Sequence, residues 1–189
     1  EIVLNHVAEL VVGDVRYEVW AKDTQRNPIR TTDGVNLHGY RAGDEVGKRG
    51  IESSMEKTLR GIRGKIVKHR SGEELSRVQP EGGEGVQITL DMKLQARIEG
   101  VMSHELGLMT VQPWHHNSTE LPVGAPLRGA VVVLDVETSE VLALVSTPAL
   151  GDERDAGGYP WLDRATQGYY PPGSIIKPLV LVSAMTDGD

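Results

Sequence analysis

Residues 169–178 read Tyr-Tyr-Pro-Pro-Gly-Ser-Ile-Ile-Lys-Pro and lead into an apolar run that ends at Met185. The prolines and the glycine predict a turn, and the apolar residues after them predict a buried helix. Side chains three positions apart on a helix are neighbours, so Lys177 can reach the hydroxyl group of Ser174. Burial among apolar residues would favour the neutral lysine, which is a base. The helix start would also direct backbone N–H groups at an oxyanion. The stretch therefore indicates a serine nucleophile with a lysine base.

The same Ser-x-x-Lys spacing occurs a second time, at Ser54 and Lys57. A helix predicted over residues 51–60 has a single apolar face, and both residues fall on its solvated side. An exposed lysine lacks the desolvation that tunes a base, so this pair is interpreted as structural. Spacing alone also leaves an ordinary alternative for Ser174, the N-cap of a core helix.

Several blocks around the first motif occur in the order found in one protein family. They are Gly47–Glu52 with Leu59–Gly61, Gln87–Gln95, Ala130–Asp135 with Val141–Pro148, and Arg164–Ala165 with Tyr170–Ser174. Ser-x-x-Lys is itself the first of three motifs in penicillin-binding proteins. Taken together, the chain resembles the class B penicillin-binding proteins, which are peptidoglycan D,D-transpeptidases, and leans towards their elongation-type branch.

The resemblance implies an α+β fold with two parts. A pedestal module, non-catalytic and dimerisation-like, is expected over residues 1–85. The start of a penicillin-binding, serine transpeptidase domain is expected over residues 86–189, with an antiparallel sheet packed on helices. In this family Ser174 would be the nucleophile and Lys177 the base for acylation.

The resemblance also implies partners and a location. The substrate would be a peptidoglycan stem peptide ending in D-Ala-D-Ala, which β-lactams mimic, and a membrane-embedded glycan polymerase would be a protein partner. The family acts in the bacterial cell envelope, on the extracytoplasmic side of the inner membrane. Its members usually carry a membrane anchor, which we do not find in this sequence.

Two later motifs complete the family's site, Ser-x-Asn and Lys-(Ser/Thr)-Gly, and neither occurs here. We therefore expect a fragment that is inactive alone, with an apolar helix left exposed after residue 174. The alternatives are a non-catalytic scaffold of the cell-wall elongation machinery, and a β-lactam sensor or serine β-lactamase. The pedestal-like residues before 85 argue against the sensor or β-lactamase.

Composition narrows the remaining classes of function. The chain is 39% apolar and 25% charged, which is typical of a globular protein. Its formal charge of −7 argues against nucleic acid as a partner. It has no cysteine, so disulfides and thiolate metal sites are excluded. His104-Glu105 has Leu108 where a zinc-protease motif needs its second histidine, and His115-His116 lacks a spaced third ligand. We therefore predict no metal or other cofactor.

The sequence also predicts a capped helix and a β-hairpin in the second half of the chain. Asp91 is expected to cap a helix that carries an apolar stripe of Leu94, Ile98, Val101, Met102 and Leu106. Residues 130–134 are expected to pair with residues 141–145 as an antiparallel hairpin. The family usually has glycine where Ser139 stands, so the hairpin turn should be strained at this position or differ in type.

Overall fold

The computed structural model describes residues 7–32, 34–104, 106–115, 122–150 and 159–187. In chain order its helices and strands are α1 (Glu9–Val12), β1 (Val15–Arg16), α2 (Ala21–Arg26), β2 (Arg30–Thr31), β3 (Gly34–Val35), β4 (Val46–Gly47), α3 (Gly50–Ser54), α4 (Glu56–Arg60), β5 (Lys65–Lys68), β6 (Glu74–Val78), α5 (Met92–Met102), β7 (Gly129–Leu134), β8 (Val141–Thr147) and α6 (Lys177–Asp187). Within these ranges there are also two 3₁₀ turns, Pro113–His115 and Gly173–Ile176. Each sheet within these residues is an antiparallel pair: β1 with β4, β2 with β3, β5 with β6 and β7 with β8. The fold is α+β, as the sequence predicts.

The N-terminal segment is held against residues 46–50. Strand β1 pairs with β4, and the Lys48 N–H donates to the Asp14 carbonyl oxygen over 2.8 Å. Gly13, at φ +88°, passes so close to the Arg49 carbonyl that a Cβ atom would lie 1.8 Å from its oxygen. The Arg49 side chain donates to the Asp14 carboxylate over 2.6 Å. This crossing joins residues that are far apart in sequence.

Two helices of the N-terminal half differ from the sequence pattern. Apolar residues over 2–11 have helical spacing, and the helix in the described part of this stretch is Glu9–Val12, while residues 1–6 lie outside the described residues. The helix predicted over 51–60 is broken at Met55, whose φ of −105° and ψ of 12° are not helical. Met55 is exposed, so the predicted continuous buried face does not form. Gly61 follows the last residue of α4 at φ +70° and ψ −165°, a conformation that glycine adopts readily.

The second half is organised by α5 and the β7–β8 hairpin. Asp91 caps α5 as predicted, because its Oδ1 accepts from the Lys93 and Leu94 N–H groups at 2.9 and 3.0 Å. The hairpin is also confirmed, with Val131 opposite Val145. At the turn, Ser139 adopts a φ of +62°, the left-handed region that favours glycine.

The buried face of α5 is more polar than the predicted stripe. Gln95, which is 1% exposed, lies on this face, and Met102 is buried at the last residue of the helix. The prediction is wrong for Val101, which is 51% exposed, and for Leu106, which lies beyond the end of the helix. The Gln95 amide accepts from the Leu144 N–H and donates to the Leu144 carbonyl oxygen, both over 2.8 Å. It thus satisfies backbone groups on the edge of β8 that faces away from β7. No described helix is long and apolar enough to span a membrane.

Candidate functional site

The predicted nucleophile and base lie at the junction between a 3₁₀ turn and α6. Ser174 is the second residue of the turn, and Lys177 is the first residue of the helix. The Lys177 N–H donates to the Ser174 carbonyl oxygen, and the Ile175 N–H donates to the Pro172 carbonyl oxygen over 3.3 Å. Residues i and i+3 eclipse each other in a 3₁₀ turn. Ser174 and Lys177 therefore lie on the same side of the chain, one turn apart.

Gly173 sets the direction in which the turn begins. Its φ is +51°, a left-handed conformation that costs an L-residue energy. Apart from its two chain neighbours, no atom of the described residues lies within 4 Å of the Cβ position, so the backbone angle rather than a close contact requires glycine here. The glycine thus lets Ser174 start a helical turn directly after two prolines.

The expected burial of α6 is wrong for the described structure. Ser174, Lys177 and the apolar residues of α6 are exposed, with Leu179 at 66% and Val180 at 60%. The reason is packing: α5 covers the β7–β8 hairpin, whereas α6 makes its main contacts with the turn before it. The described residues do not supply the desolvation expected at Lys177. The exposure of α6 agrees with the other expectation, that an apolar helix is left exposed after residue 174.

The approach to the turn is fixed by a buried serine that the sequence analysis did not single out. Ser146 Oγ donates to the Leu162 carbonyl oxygen and accepts from the Arg164 N–H, each over 3.0 Å. Arg164 is 6% exposed, and its guanidinium donates to the carbonyl oxygens of Tyr159 and Leu162. Residues 159–164 are thereby tied to the end of β8. A serine within the apolar run of β8 is the signal that could have revealed this anchor.

A second polar anchor joins the N-terminal segment to the same sheet. Glu99 Oε1 accepts from the Ala8 N–H and from Gln95 Nε2, both over 2.8 Å. Gln95 in turn binds the backbone of Leu144 on β8. A chain of hydrogen bonds therefore runs from the first described residues through α5 to the hairpin.

The second Ser-x-x-Lys pair lies elsewhere, in a charged part of the N-terminal half. Ser54 ends α3 and Lys57 is the second residue of α4, and both are exposed, which confirms the prediction. Ser54 Oγ donates to the Ile51 carbonyl oxygen over 3.4 Å, a local helical contact. These positions give no sign of a buried base.

An arginine and a tyrosine organise the loop beside this pair. The Arg60 guanidinium donates to the His38 carbonyl oxygen and to the Asp44 carboxylate, both over 2.8 Å, and stacks 4.0 Å above the Tyr40 ring. Burial, together with the Glu56 carboxylate, raises the pKa of Tyr40 to about 12. Tyr40 is thus neutral at physiological pH and acts as a packing surface for Arg60.

A metal site finds no support in the described ranges, where no three potential ligands cluster. His104 is buried, and its Nε2 donates to the Leu127 carbonyl oxygen over 2.8 Å, so it is a core residue. The side chain of His115 and all of His116 lie outside the described residues.

The chain matches two protein families over separate ranges. Residues 3–90 match the "Penicillin-binding Protein dimerisation domain". Residues 129–189 match the "Penicillin binding protein transpeptidase domain". The second range includes the β7–β8 hairpin, Ser174 and Lys177.

Named relatives give the same result. The chain is 34% identical to the peptidoglycan D,D-transpeptidase MrdA of Escherichia coli K12, over 89% of this chain and 26% of the relative. It is 32% identical to MrdA of Haemophilus influenzae, over 78% of this chain and 22% of the relative. The chain therefore spans about a quarter of the length of these relatives.

A solved structure shows the same fold. The complex between the penicillin-binding protein PBP2 and MreC from Helicobacter pylori matches with a TM-score of 0.66 and 23% identity. The match covers 96% of this chain and 31% of the neighbour's chain.

Proposed function

Because this chain belongs to the class B penicillin-binding proteins of the elongation type, we propose that it serves in peptidoglycan D,D-transpeptidation. Ser174 is proposed as the nucleophile and Lys177 as the base for acylation. The observation that carries this assignment is the 3₁₀ turn, in which the Lys177 N–H donates to the Ser174 carbonyl oxygen. The turn lies within residues 129–189, the range that matches the transpeptidase domain.

In the proposed reaction, Ser174 Oγ attacks the carbonyl carbon of the penultimate D-Ala of a stem peptide. Lys177 takes the hydroxyl proton and passes it to the leaving nitrogen, so the C–N bond breaks and the terminal D-Ala departs. An amine of a neighbouring stem then attacks the ester, forms the cross-linking amide and returns the proton to Ser174. A β-lactam would acylate the same oxygen by opening its ring.

The residues around the turn would position the reacting groups and would not take part in the reaction themselves. Gly173 allows the turn to begin, and the Ser146–Arg164 contacts fix the segment that leads to it. Lys177 is exposed beside Ile176, which is 43% exposed. A substrate seated over the turn would cover both side chains, and the loss of water would favour the neutral lysine that the reaction needs.

The domain boundary, the cellular location and a protein partner are proposed from the same family membership. We propose a boundary at residues 85 and 86 between the pedestal module and the transpeptidase part. We also propose a position in the bacterial cell envelope, on the extracytoplasmic side of the inner membrane. A membrane-embedded glycan polymerase is the proposed protein partner.

Exposed apolar side chains on the β5–β6 hairpin support a protein partner in the pedestal module. Ile66 is 48% exposed and Leu75 is 59% exposed. A Leu75→Asp variant should weaken co-purification with the co-expressed polymerase, whereas Ser71→Asp at the exposed tip should not. Equal recovery with both variants would remove this hairpin from the interface. MreC, the partner of the Helicobacter pylori neighbour, is a second protein to co-express.

Labelling with a fluorescent penicillin tests the reaction. The complete gene product should become covalently labelled, and Ser174→Ala should abolish the label. Ser54→Ala is the matched control, because Ser54 has the same Ser-x-x-Lys spacing and should leave the label unchanged. The 189-residue chain alone is expected to remain unlabelled. A folded gene product that never becomes labelled would support the scaffold alternative.

A further inference from the structure

A cavity between α2, β4 and α4 is strongly basic although the whole chain is acidic. Its volume is about 560 Å³, within the range of small-ligand sites, roughly 300–1,000 Å³. Six basic side chains line it against two acidic ones, Asp23 and Glu56. The basic side chains are those of Arg16, Lys22, Arg26, Lys48, Lys57 and Arg60. A concave surface lined by charges of one sign concentrates the electrostatic field and attracts counter-ions.

Three of these cations are already paired. Arg16 binds Asp23 over 2.5 Å, and Arg60 binds Asp44 over 2.8 Å. Lys48 binds Asp14 over 3.1 Å. These pairs fix part of the wall.

The other three cations, Lys22, Arg26 and Lys57, have no ion-pair partner within the described residues. Lys22 and Arg16 lie 4.5 and 4.0 Å from the centre of the same indole ring, that of Trp20. Both cations are therefore held at the wall of the cavity by the same aromatic ring. The cavity therefore combines free positive charge with a wall held in place by ion pairs.

Hydroxyl groups lie beside these cations. Ser53 and Ser54 also line the cavity, and both are exposed. Guanidinium, ammonium and hydroxyl donors together suit the many acceptor oxygens of a phosphate group. We propose that this cavity binds a phosphate-bearing ligand, either a small phosphorylated molecule or a phospholipid headgroup. The second Ser-x-x-Lys pair would then be part of an anion site, with Lys57 as a charge and not as a base.

Calorimetric titration of the full chain with inorganic pyrophosphate at low ionic strength tests the site. The triple variant Lys22→Gln/Arg26→Gln/Lys57→Gln should bind about tenfold or more weakly, because each lost contact is a charge-assisted hydrogen bond. The matched control is Lys65→Gln/Lys68→Gln/Arg70→Gln, which removes the same charge on and beside the β5–β6 hairpin and should bind like the unmodified chain. Thermal unfolding of both variants shows whether each remains folded.

Amide NMR shifts give a second readout that does not depend on the variants. Pyrophosphate should move the signals of Ser53, Ser54 and Lys57 more than those of the β5–β6 hairpin. Absence of pyrophosphate binding, equal weakening by both triple variants, or shifts spread evenly over the chain would each overturn the proposal.

Vesicles separate the two sources of phosphate. Phosphatidylcholine vesicles with and without phosphatidic acid are compared in a flotation assay. Binding that requires phosphatidic acid and is lost in the Lys22/Arg26/Lys57 variant supports a headgroup ligand. Pyrophosphate binding without vesicle binding supports a soluble phosphorylated ligand.

Discussion

The substitution Gln95→Met removes two hydrogen bonds from the outer edge of β8 and a third to Glu99, while keeping a side chain of similar length. Gln95 Nε2 donates to the Leu144 carbonyl oxygen and to Glu99 Oε1, and Gln95 Oε1 accepts from the Leu144 N–H, all over 2.8 Å. Gln95 is 1% exposed, so water has little access to the groups left behind. Glu99 keeps its contact with the Ala8 N–H, whereas both backbone groups of Leu144 lose this partner.

The expected cost follows from these two backbone groups. An unpaired buried donor or acceptor costs about 1–3 kcal/mol, and the apolar methionine recovers part of that cost by burying apolar surface. We expect a net loss of about 2–4 kcal/mol in the free energy of unfolding. For a chain of this size, 1 kcal/mol shifts the melting temperature by about 2–4 °C, so the decrease should lie between about 4 and 16 °C.

Urea unfolding followed by circular dichroism measures the free energy, and a thermal scan gives the melting temperature. Gln25→Met is the matched control, because Gln25 is also helical but exposed, and its effect should stay within about 0.5 kcal/mol. If Gln95→Met were as mild as Gln25→Met, the Leu144 groups would not depend on Gln95, and the proposed role of this edge contact would be refuted.

Other substitutions test local backbone and capping features. Ser139→Gly should stabilise the hairpin by about 0.5–1 kcal/mol, because relief of the left-handed strain outweighs the conformational entropy that glycine loses on folding. Ser139→Ala is the control and should give no gain in the same urea assay. Gly173→Ala should cost the turn about 1–2 kcal/mol and speed amide exchange over residues 173–177, with a smaller effect for Gly173→Asn. Hydrogen bonds from the Leu94 and Lys93 N–H groups hold the pKa of Asp91 below its usual value. The stabilisation it gives is therefore complete above its unfolded pKa of about 3.9 and disappears as the pH falls through the lower folded pKa. Asp91→Asn should remove this dependence from a pH series of urea unfolding, and an unchanged series would contradict the cap.

Features determined by neighbours in sequence were predictable. The Asp91 cap depends on N–H groups two and three residues away, and the positive φ at Ser139 depends on a short hairpin turn. The 3₁₀ turn places Lys177 one turn after Ser174 through a single local hydrogen bond. In each case the residue types needed for the structure lie within a few positions of one another.

Features that depend on distant residues were missed or wrong. Gln95 looks like a polar interruption of an amphipathic helix, and its role appears once Leu144, 49 residues away, lies against it. Met55 fits the apolar period of a helix over 51–60, yet the helix breaks there. The spacing of apolar residues indicates which of them could share one face of a helix, but not whether another element covers that face.

The same distinction applies to the proposed nucleophile and base. The spacing of Ser174 and Lys177 is local, whereas the basicity of a lysine amine depends on what excludes water from it. In the described structure the polar anchors Ser146 and Arg164 are buried, while the turn that they lead to is exposed. Position and reactivity are thus supplied by different parts of the molecule. A buried hydrogen-bond network fixes residues 159–164, which lead to the turn. In the proposed reaction, a covering surface or a bound substrate has to supply the desolvation that would make Lys177 a base. Chemistry at Ser174 should therefore respond to whatever seats itself over α6, even when the turn itself does not change.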